Sequence, residues 1–269
     1  MRAMAAGNLA VVTGAASGIG LAAAKRFAAS GMRVCMVDVS ERVKAAANEI
    51  GNEAVAFVVD VADNDAMVQL AAQVHARFGP VSLLMNNAAV DDVADAVSGR
   101  DRWTRVMGVN LFGVLSGLQA FVPAMIAGGK PGIVINTGSK QGITQPPGNT
   151  AYNVSKSAVK SLTEGLAHTL REQTGTRVTA HLLIPGFTFT GMTHRDEKPA
   201  GAWMPEQVID FMMDRIGRGD FYILCPDNDV TREMDEKRMA WAMGDVIHNR
   251  PALSRWHPDY KDAFAAFMA

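Results

Sequence analysis

The run Asn8-Leu9-Ala10-Val11-Val12-Thr13-Gly14-Ala15-Ala16-Ser17-Gly18-Ile19-Gly20 passes directly from an apolar stretch into a glycine loop. A short apolar segment bounded by a turn signal predicts a buried strand over residues 8–13. The glycines that follow let the backbone turn tightly and approach a pyrophosphate with no side chain in the way. A helix predicted over residues 21–30 opens at this loop, so its free N–H groups and positive dipole end face the same place. Gly14, Ser17, Gly18, Ile19 and Gly20 are therefore candidate phosphate contacts. Their Gly-x-x-x-Gly-x-Gly spacing departs from the Gly-x-Gly-x-x-Gly of many dinucleotide enzymes. Taken alone, the loop also reads as a merely tight strand–helix turn.

The next strand, residues 33–38, ends in Asp38 about twenty residues beyond the loop, where a carboxylate accepts hydrogen bonds from a ribose diol. Asp38 repels the extra phosphate of NADP, and no Arg or Lys lies in the glycine loop to offset it. NAD is the expected cofactor. Arg42 is the nearby residue most able to reverse that preference, and a strand-end turn former is the bland alternative for Asp38.

Working outward, strand and helix signals alternate, which predicts a parallel sheet with helices on both faces. Strands are expected at 8–13, 33–38, 54–60, 82–86, 132–138, 177–183 and 221–225, nearly all apolar as suits a sheet covered on both sides. Helices are expected notably at 65–78, 102–126 and 152–172. The fold class is α/β: a single Rossmann-like doubly wound domain over residues 1–269, with a substrate loop and helix at 187–217 and a helical extension at 226–269. Such folds often run past 200 residues undivided. Ligands in these sheets bind beyond the carboxyl ends of the strands, where Asp38, Asn87, Ser139 and Pro185 all fall.

Composition narrows the partners. A hydrophobic content of 48% suffices for a large core, and a net charge of −1 offers no case for nucleic acid or an anionic membrane. No apolar run is expected to reach the roughly 20 residues of a membrane span. Residues 1–7 lack the layout of a signal peptide, so the cytoplasm is the expected location. Cys35 and Cys225 fall in expected strands and suit reduced core residues better than a disulfide or a metal pair.

Chemistry enters with Tyr152 and Lys156, one helical turn apart in Ala151-Tyr152-Asn153-Val154-Ser155-Lys156. A phenol has a pKa of about 10, and a cation held close favours the phenolate. The i,i+4 spacing puts both side chains on one helix face. Ser139, upstream in Asn136-Thr137-Gly138-Ser139-Lys140-Gln141-Gly142, can then hold a carbonyl or alcohol oxygen while Tyr152 exchanges its proton. A Tyr-x-x-x-Lys pair by itself is more often a part-buried tyrosine beside a solvated lysine. The surrounding motifs overturn that.

Together these pieces resemble the short-chain dehydrogenase/reductase family over roughly residues 8–225. Residues 13–20 resemble the family's cofactor loop, Asp60-Val61 the pair that flanks the adenine ring, and Asn86-Asn87-Ala88-Ala89 the motif ending the fourth strand, with Ala89 where Gly is more usual. Asn110 sits where the family keeps an Asn that supports a proton-relay water. Ser139, Tyr152 and Lys156 fall at the catalytic positions. Residues 185–190, with Pro185, Gly186, Thr188 and Thr190, resemble the loop that holds the nicotinamide carboxamide. The resemblance implies hydride transfer between NAD and a secondary alcohol or ketone, with Tyr152 as acid/base and Lys156 also bonding the nicotinamide ribose. It further implies a homotetramer, or else a homodimer, built on the helices 102–126 and 152–172.

Phe187, Phe189, Met192, Trp203 and Met204 cluster where the family has a mobile substrate loop, and an apolar lid suits a bulky or aromatic substrate. Gln141 and Gln145 can add polar contacts. Ordinary core packing is the competing reading of these apolar residues. The tail continues for about forty residues past Cys225: a helix is expected over 227–250, capped by Asp229 or Thr231, then a loop and terminal helix. Its aromatics, Trp256, Tyr260, Phe264 and Phe267, are expected against the body or a neighbouring subunit, with His257 at a surface or interface. The rival functions are an NADP-dependent ketoreductase, a non-catalytic NAD-binding protein, and a sugar-nucleotide epimerase or dehydratase. The intact Ser-Tyr-Lys set disfavours the second, and the glycine spacing disfavours the third.

Overall fold

The computed structural model describes residues 2–51, 53–175, 177–193 and 196–269. Seven strands build one sheet: β1 (Leu9–Thr13), β2 (Arg33–Asp38), β3 (Ala54–Val58), β4 (Val81–Asn86), β5 (Gly132–Thr137), β6 (Val178–Ile184) and β7 (Tyr222–Leu224). Their order is β3-β2-β1-β4-β5-β6-β7, with every neighbouring pair parallel. The chain reverses direction across the sheet between β1 and β4, the switch point at which such sheets open a ligand crevice. All five residues of β1 are buried, as the unbroken apolar run requires.

Among the described residues ten helices accompany the sheet: α1 (Gly18–Ala29), α2 (Arg42–Ile50), α3 (Asn64–Phe78), α4 (Arg100–Met107), α5 (Gly113–Ala127), α6 (Gln141–Thr144), α7 (Thr150–Thr174), α8 (Pro205–Arg218), α9 (Arg232–Ile247) and α10 (Lys261–Met268). One core layer, with Phe27, Met36, Met85, Ile135 and Met212, lies on the α1/α8 side. The other, with Leu70, Leu84, Phe121, Val134 and Leu182, lies on the α3/α5/α7 side. Each layer removes whole apolar side chains from water, at about 25 cal/mol per Å².

Three elements differ from expectation. The third strand stops at Val58, because Asp60 Oδ1 accepts the Ala62 N–H (2.9 Å) and turns the chain. The expected helix over 102–126 is broken: Gly108–Phe112 is a π turn between α4 and α5, the kind of local bulge that recurs at functional sites. The combined segment Arg100–Ala127 is also apolar and long enough to pass for a membrane span, contrary to the sequence reading. Its Val114, Leu118, Phe121, Val122 and Met125 instead fill the core.

The extension begins its helix at Arg232, not at residue 227. Asp227 Oδ1 accepts the N–H groups of Asp229 (3.1 Å) and Val230 (2.8 Å), which folds 227–230 into a turn. Of the two expected caps, Thr231 takes the role, accepting from Met234 N–H at 3.3 Å. Trp241 of α9 meets Phe264 edge-on at 5.3 Å and the tilted ring of Phe267 at 5.2 Å, while the Arg250 guanidinium lies 4.0 Å from its ring. Those aromatics close the extension on itself.

Candidate active site

The glycine loop leaves β1 with Gly14 at φ +67° and starts α1 with Gly18 at φ +54°, both left-handed conformations that favour glycine. A Cβ on Gly20 would sit 2.1 Å from the Gly14 carbonyl oxygen, and one on Gly14 would sit 2.8 Å from Ala88 Cα. The loop is therefore closed against itself and against the end of β4. Ser17 stands at the N-cap of α1 without using its side chain there. The first-turn N–H groups of α1 have no partner within the helix. Such a cradle fits a dinucleotide pyrophosphate held by Gly14, Ser17, Gly18, Ile19 and Gly20.

Neighbouring strand ends are tied to the loop. Thr13 Oγ1 accepts from the N–H groups of Asn87 (2.9 Å) and Ala88 (3.1 Å), Asn87 Nδ2 donates to Thr13 O (3.3 Å), and Thr137 Oγ1 donates to Asn87 Oδ1 (3.3 Å). The Asn87 side chain thus braces β1, β4 and β5 at the crevice. Asp38 lies at the end of β2 as expected, and it also braces the loop: its two oxygens accept from Ala16 N–H (3.0 Å) and Ser40 N–H (2.9 Å). Asp60 is exposed, whereas Val61 is buried against Gly113, whose added Cβ would lie 2.6 Å from Val61 Cγ2. Asp63 caps α3, accepting the Ala66 N–H.

Ser139, Tyr152 and Lys156 come together at the carboxyl end of β5. The Ser139 hydroxyl lies near enough to the Tyr152 phenol to favour its ionised form, and Ser139 Oγ accepts Gln141 N–H at 3.1 Å. Asn149, the N-cap of α7, sets the height of the tyrosine by accepting from Tyr152 N–H (3.4 Å). The Lys156 side chain is buried; its Nζ donates to Thr137 O at 2.8 Å and lies 5.7 Å from the Tyr152 ring centroid. An ammonium has three N–H donors, so two remain for other partners.

Electrostatics correct one expectation. The sequence reading has Lys156 pulling the Tyr152 pKa down. Burial instead dominates and pushes it up to about 12, against the opposing Ser139 hydroxyl and with help from the Asp91 carboxylate. Burial also brings Lys156 down to about 8. Desolvation works against whichever form is charged, so phenol and ammonium move in opposite directions.

Asn110 is placed by three hydrogen bonds. Its side chain is wholly buried, accepting from Val90 N–H (2.8 Å) and donating to Val90 O (3.0 Å) and Ser155 Oγ (3.2 Å). With both amide N–H groups committed, its observed work is to hold the chain after β4 against α7.

Residues 185–190 leave β6 and pair back on themselves. Phe189 N–H donates to Trp203 O and Trp203 N–H to Phe187 O, each at 2.8 Å, closing the base of a loop at Thr188. Thr188 Oγ1 donates to Gly186 O at 3.1 Å, and Thr190 Cγ2 would lie 3.1 Å from a Cβ on Gly18, placing this loop over the start of α1. Of the expected lid residues, Phe187 and Met204 are exposed and Met192 is half-buried. Phe189 and Met204 line a cavity of about 320 Å³ with Leu21 and Lys25. Trp203 leaves the set, since it packs on the core and against Phe211 at 5.9 Å. Gln141 is exposed beside Ser139.

Sequence reasoning missed two features. Asn149 carries a local signal, an Asn ahead of an amphipathic helix. Lys140 carries none, since it pairs with Asp227 (3.4 Å) and Asp235 (2.6 Å), distant in the chain.

The short chain dehydrogenase family model matches residues 8–200. The chain belongs to the short-chain dehydrogenase family. Like its relatives it is an oxidoreductase that acts on CH–OH groups with NAD or NADP. It is 40% identical over 192 residues to a galactitol 2-dehydrogenase (L-tagatose-forming) of Cereibacter sphaeroides, covering 70% of this chain and 74% of the relative. A short-chain dehydrogenase/reductase of Burkholderia phymatum in complex with NAD superposes with TM-score 0.84 at 30% identity, covering 93% of this chain and 97% of the other. A metagenomic short-chain oxidoreductase in complex with NADP gives 0.65 at 30% identity, with 77% and 89% covered. Both cofactors thus occur among this short-chain dehydrogenase's structural neighbours.

Proposed function

We propose that this short-chain dehydrogenase interconverts a secondary alcohol and its ketone with NAD as the preferred cofactor. The observation that carries the reading is the Ser139–Tyr152–Lys156 cluster at the same end of the sheet as the glycine cradle. When bound, the nicotinamide supplies the acceptor or donor of hydride. Tyr152 exchanges a proton with the substrate oxygen, Ser139 orients that oxygen, and Lys156 stands beside the phenol as the second proton-holding group. Asp38 supports NAD, because a carboxylate held by Ala16 and Ser40 stands where a ribose phosphate would be repelled. Arg42, the residue most able to favour NADP, has its Nε 3.3 Å from Ser40 Oγ.

Fluorescence titration with NADH and NADPH tests the preference. NADH should bind at least about tenfold more tightly, a difference of roughly 1.4 kcal/mol; tighter NADPH would reverse the assignment. For the substrate, Phe187 and Met192 favour a bulky or aromatic body, while the galactitol 2-dehydrogenase relative supports a polyol as the second reading. Initial rates with NAD across aryl alcohols and hexitols, followed at the NADH absorbance, separate the two.

The pH dependence has a defined sign. Of the two groups Lys156 loses its proton first, at about 8, because burial disfavours the ammonium. Alcohol oxidation needs a site able to take a proton, so its kcat/KM should rise as pH passes through about 8. Ketone reduction should fall through the same range. A flat oxidation profile across that window would disprove the assignment.

A further inference from the structure

Lys140 follows the catalytic serine directly, yet its side chain faces the C-terminal extension. Its Nζ lies 2.6 Å from Asp235 Oδ2 on α9 and 3.4 Å from Asp227 Oδ2 in the turn before α9. All three side chains are largely buried, at 17%, 5% and 6% exposed for Lys140, Asp227 and Asp235. The same Asp227 Oδ2 accepts the Phe187 N–H at 3.1 Å, and a Cβ on Gly186 would strike it at 2.8 Å. One carboxylate oxygen therefore touches both the lysine beside Ser139 and the backbone of residues 186–187.

The turn grips the other limb of that loop as well. Asn228 N–H donates to Gly201 O (3.0 Å), and Asn228 Nδ2 donates to Ala200 O (2.7 Å) and Ala202 O (3.2 Å). Asp229 packs so closely on Gly201 that any Cβ there would overlap its carboxylate. Both ends of the segment 187–203 thus hang on residues 227–229, and those residues are held to the Ser139 turn by Lys140. Two buried carboxylates sharing one ammonium is costly unless each charge has a partner. Burial accordingly raises the Asp235 pKa despite Lys140 and Arg238 nearby.

We propose that Lys140, Asp227 and Asp235 form a buried strut through which the C-terminal extension sets the position of residues 185–188. They are positioning residues for the nicotinamide half of the cofactor. The strut explains why an extension that closes on its own aromatics still belongs to the active site. It rests on the reading that residues 185–188 serve the nicotinamide end.

Equilibrium binding of NADH and of ADP-ribose, which lacks the nicotinamide, tests the strut apart from turnover. The double variant Lys140→Met, Asp235→Asn cuts the link while keeping the cluster's net charge. NADH should weaken by about tenfold, the worth of one charge-assisted hydrogen bond, with ADP-ribose affinity unchanged and Lys140→Arg close to wild type. NADH affinity equal to wild type, or ADP-ribose weakening in step with NADH, would overturn the proposal. Should the double variant not fold, Asp235→Asn alone gives the same comparison in milder form, because it removes the α9 end of the ion pair and leaves both Asp227 oxygens on their backbone N–H donors. If the wild type instead prefers NADPH, only the cofactor assignment fails; NADPH and 2′-phospho-ADP-ribose then carry the same test of the strut.

Discussion

Tyr152→Phe is expected to lower turnover by about 10²–10⁴-fold, the usual contribution of a positioned acid/base. Cofactor affinity should stay within about twofold, because the change removes one oxygen and leaves the ring. That ring keeps its place under the α7 cap at Asn149 and its distance of 5.7 Å from Lys156 Nζ. The lost group is the phenol that stands beside Ser139 and that burial holds protonated, with its pKa up at about 12. A phenol so held is ready to donate to a ketone oxygen, and in oxidation it must pass its proton on. Stopped-flow hydride transfer with NADH binding measured in parallel distinguishes the two effects. Near-normal turnover in the variant would remove Tyr152 from the chemistry.

Gly20→Ala carries the second large effect. The new methyl would stand 2.1 Å from Gly14 O and 2.8 Å from Asn87 Nδ2. Neither can yield cheaply: Gly14 O belongs to the loop backbone, and Asn87 is tied to Thr13 and Thr137. Overpacking of this kind costs typically 1–3 kcal/mol, and a clash with backbone falls at about the upper end. If the loop opens to relieve it, the cradle of N–H groups is lost, and NADH affinity should drop by about 10²-fold, near 2.7 kcal/mol. Gly165→Ala serves as the contrast. It lies inside α7 with nothing within 4 Å of an added Cβ, so about 0.5–1 kcal/mol of stabilisation is expected from helix propensity. Thermal unfolding and NADH titration of both variants provide the check; a Gly20→Ala protein that melts and binds like wild type would refute the packing argument.

Adjacent residues were enough to place the glycine turn after β1 and the shared face of Tyr152 and Lys156. Residues 9–12 are apolar without a break, so β1 had to be buried on both faces, and the glycines after it had to turn. Asp38 follows at a strand end, and Tyr152 and Lys156 share a face of α7 by spacing alone. These are short-range facts, and periodicity along the chain records them. What packs against a residue from elsewhere leaves no such record. Burial by distant segments reverses the direction in which the Tyr152 pKa moves. Trp203 turns into the core, and Asn110 spends its amide on Val90. Lys140 finds two carboxylates in the extension, and Asp227 bends residues 227–230 so that α9 starts only at Arg232. Desolvation and long-range ion pairing depend on which surfaces meet in space, and only the folded chain settles that.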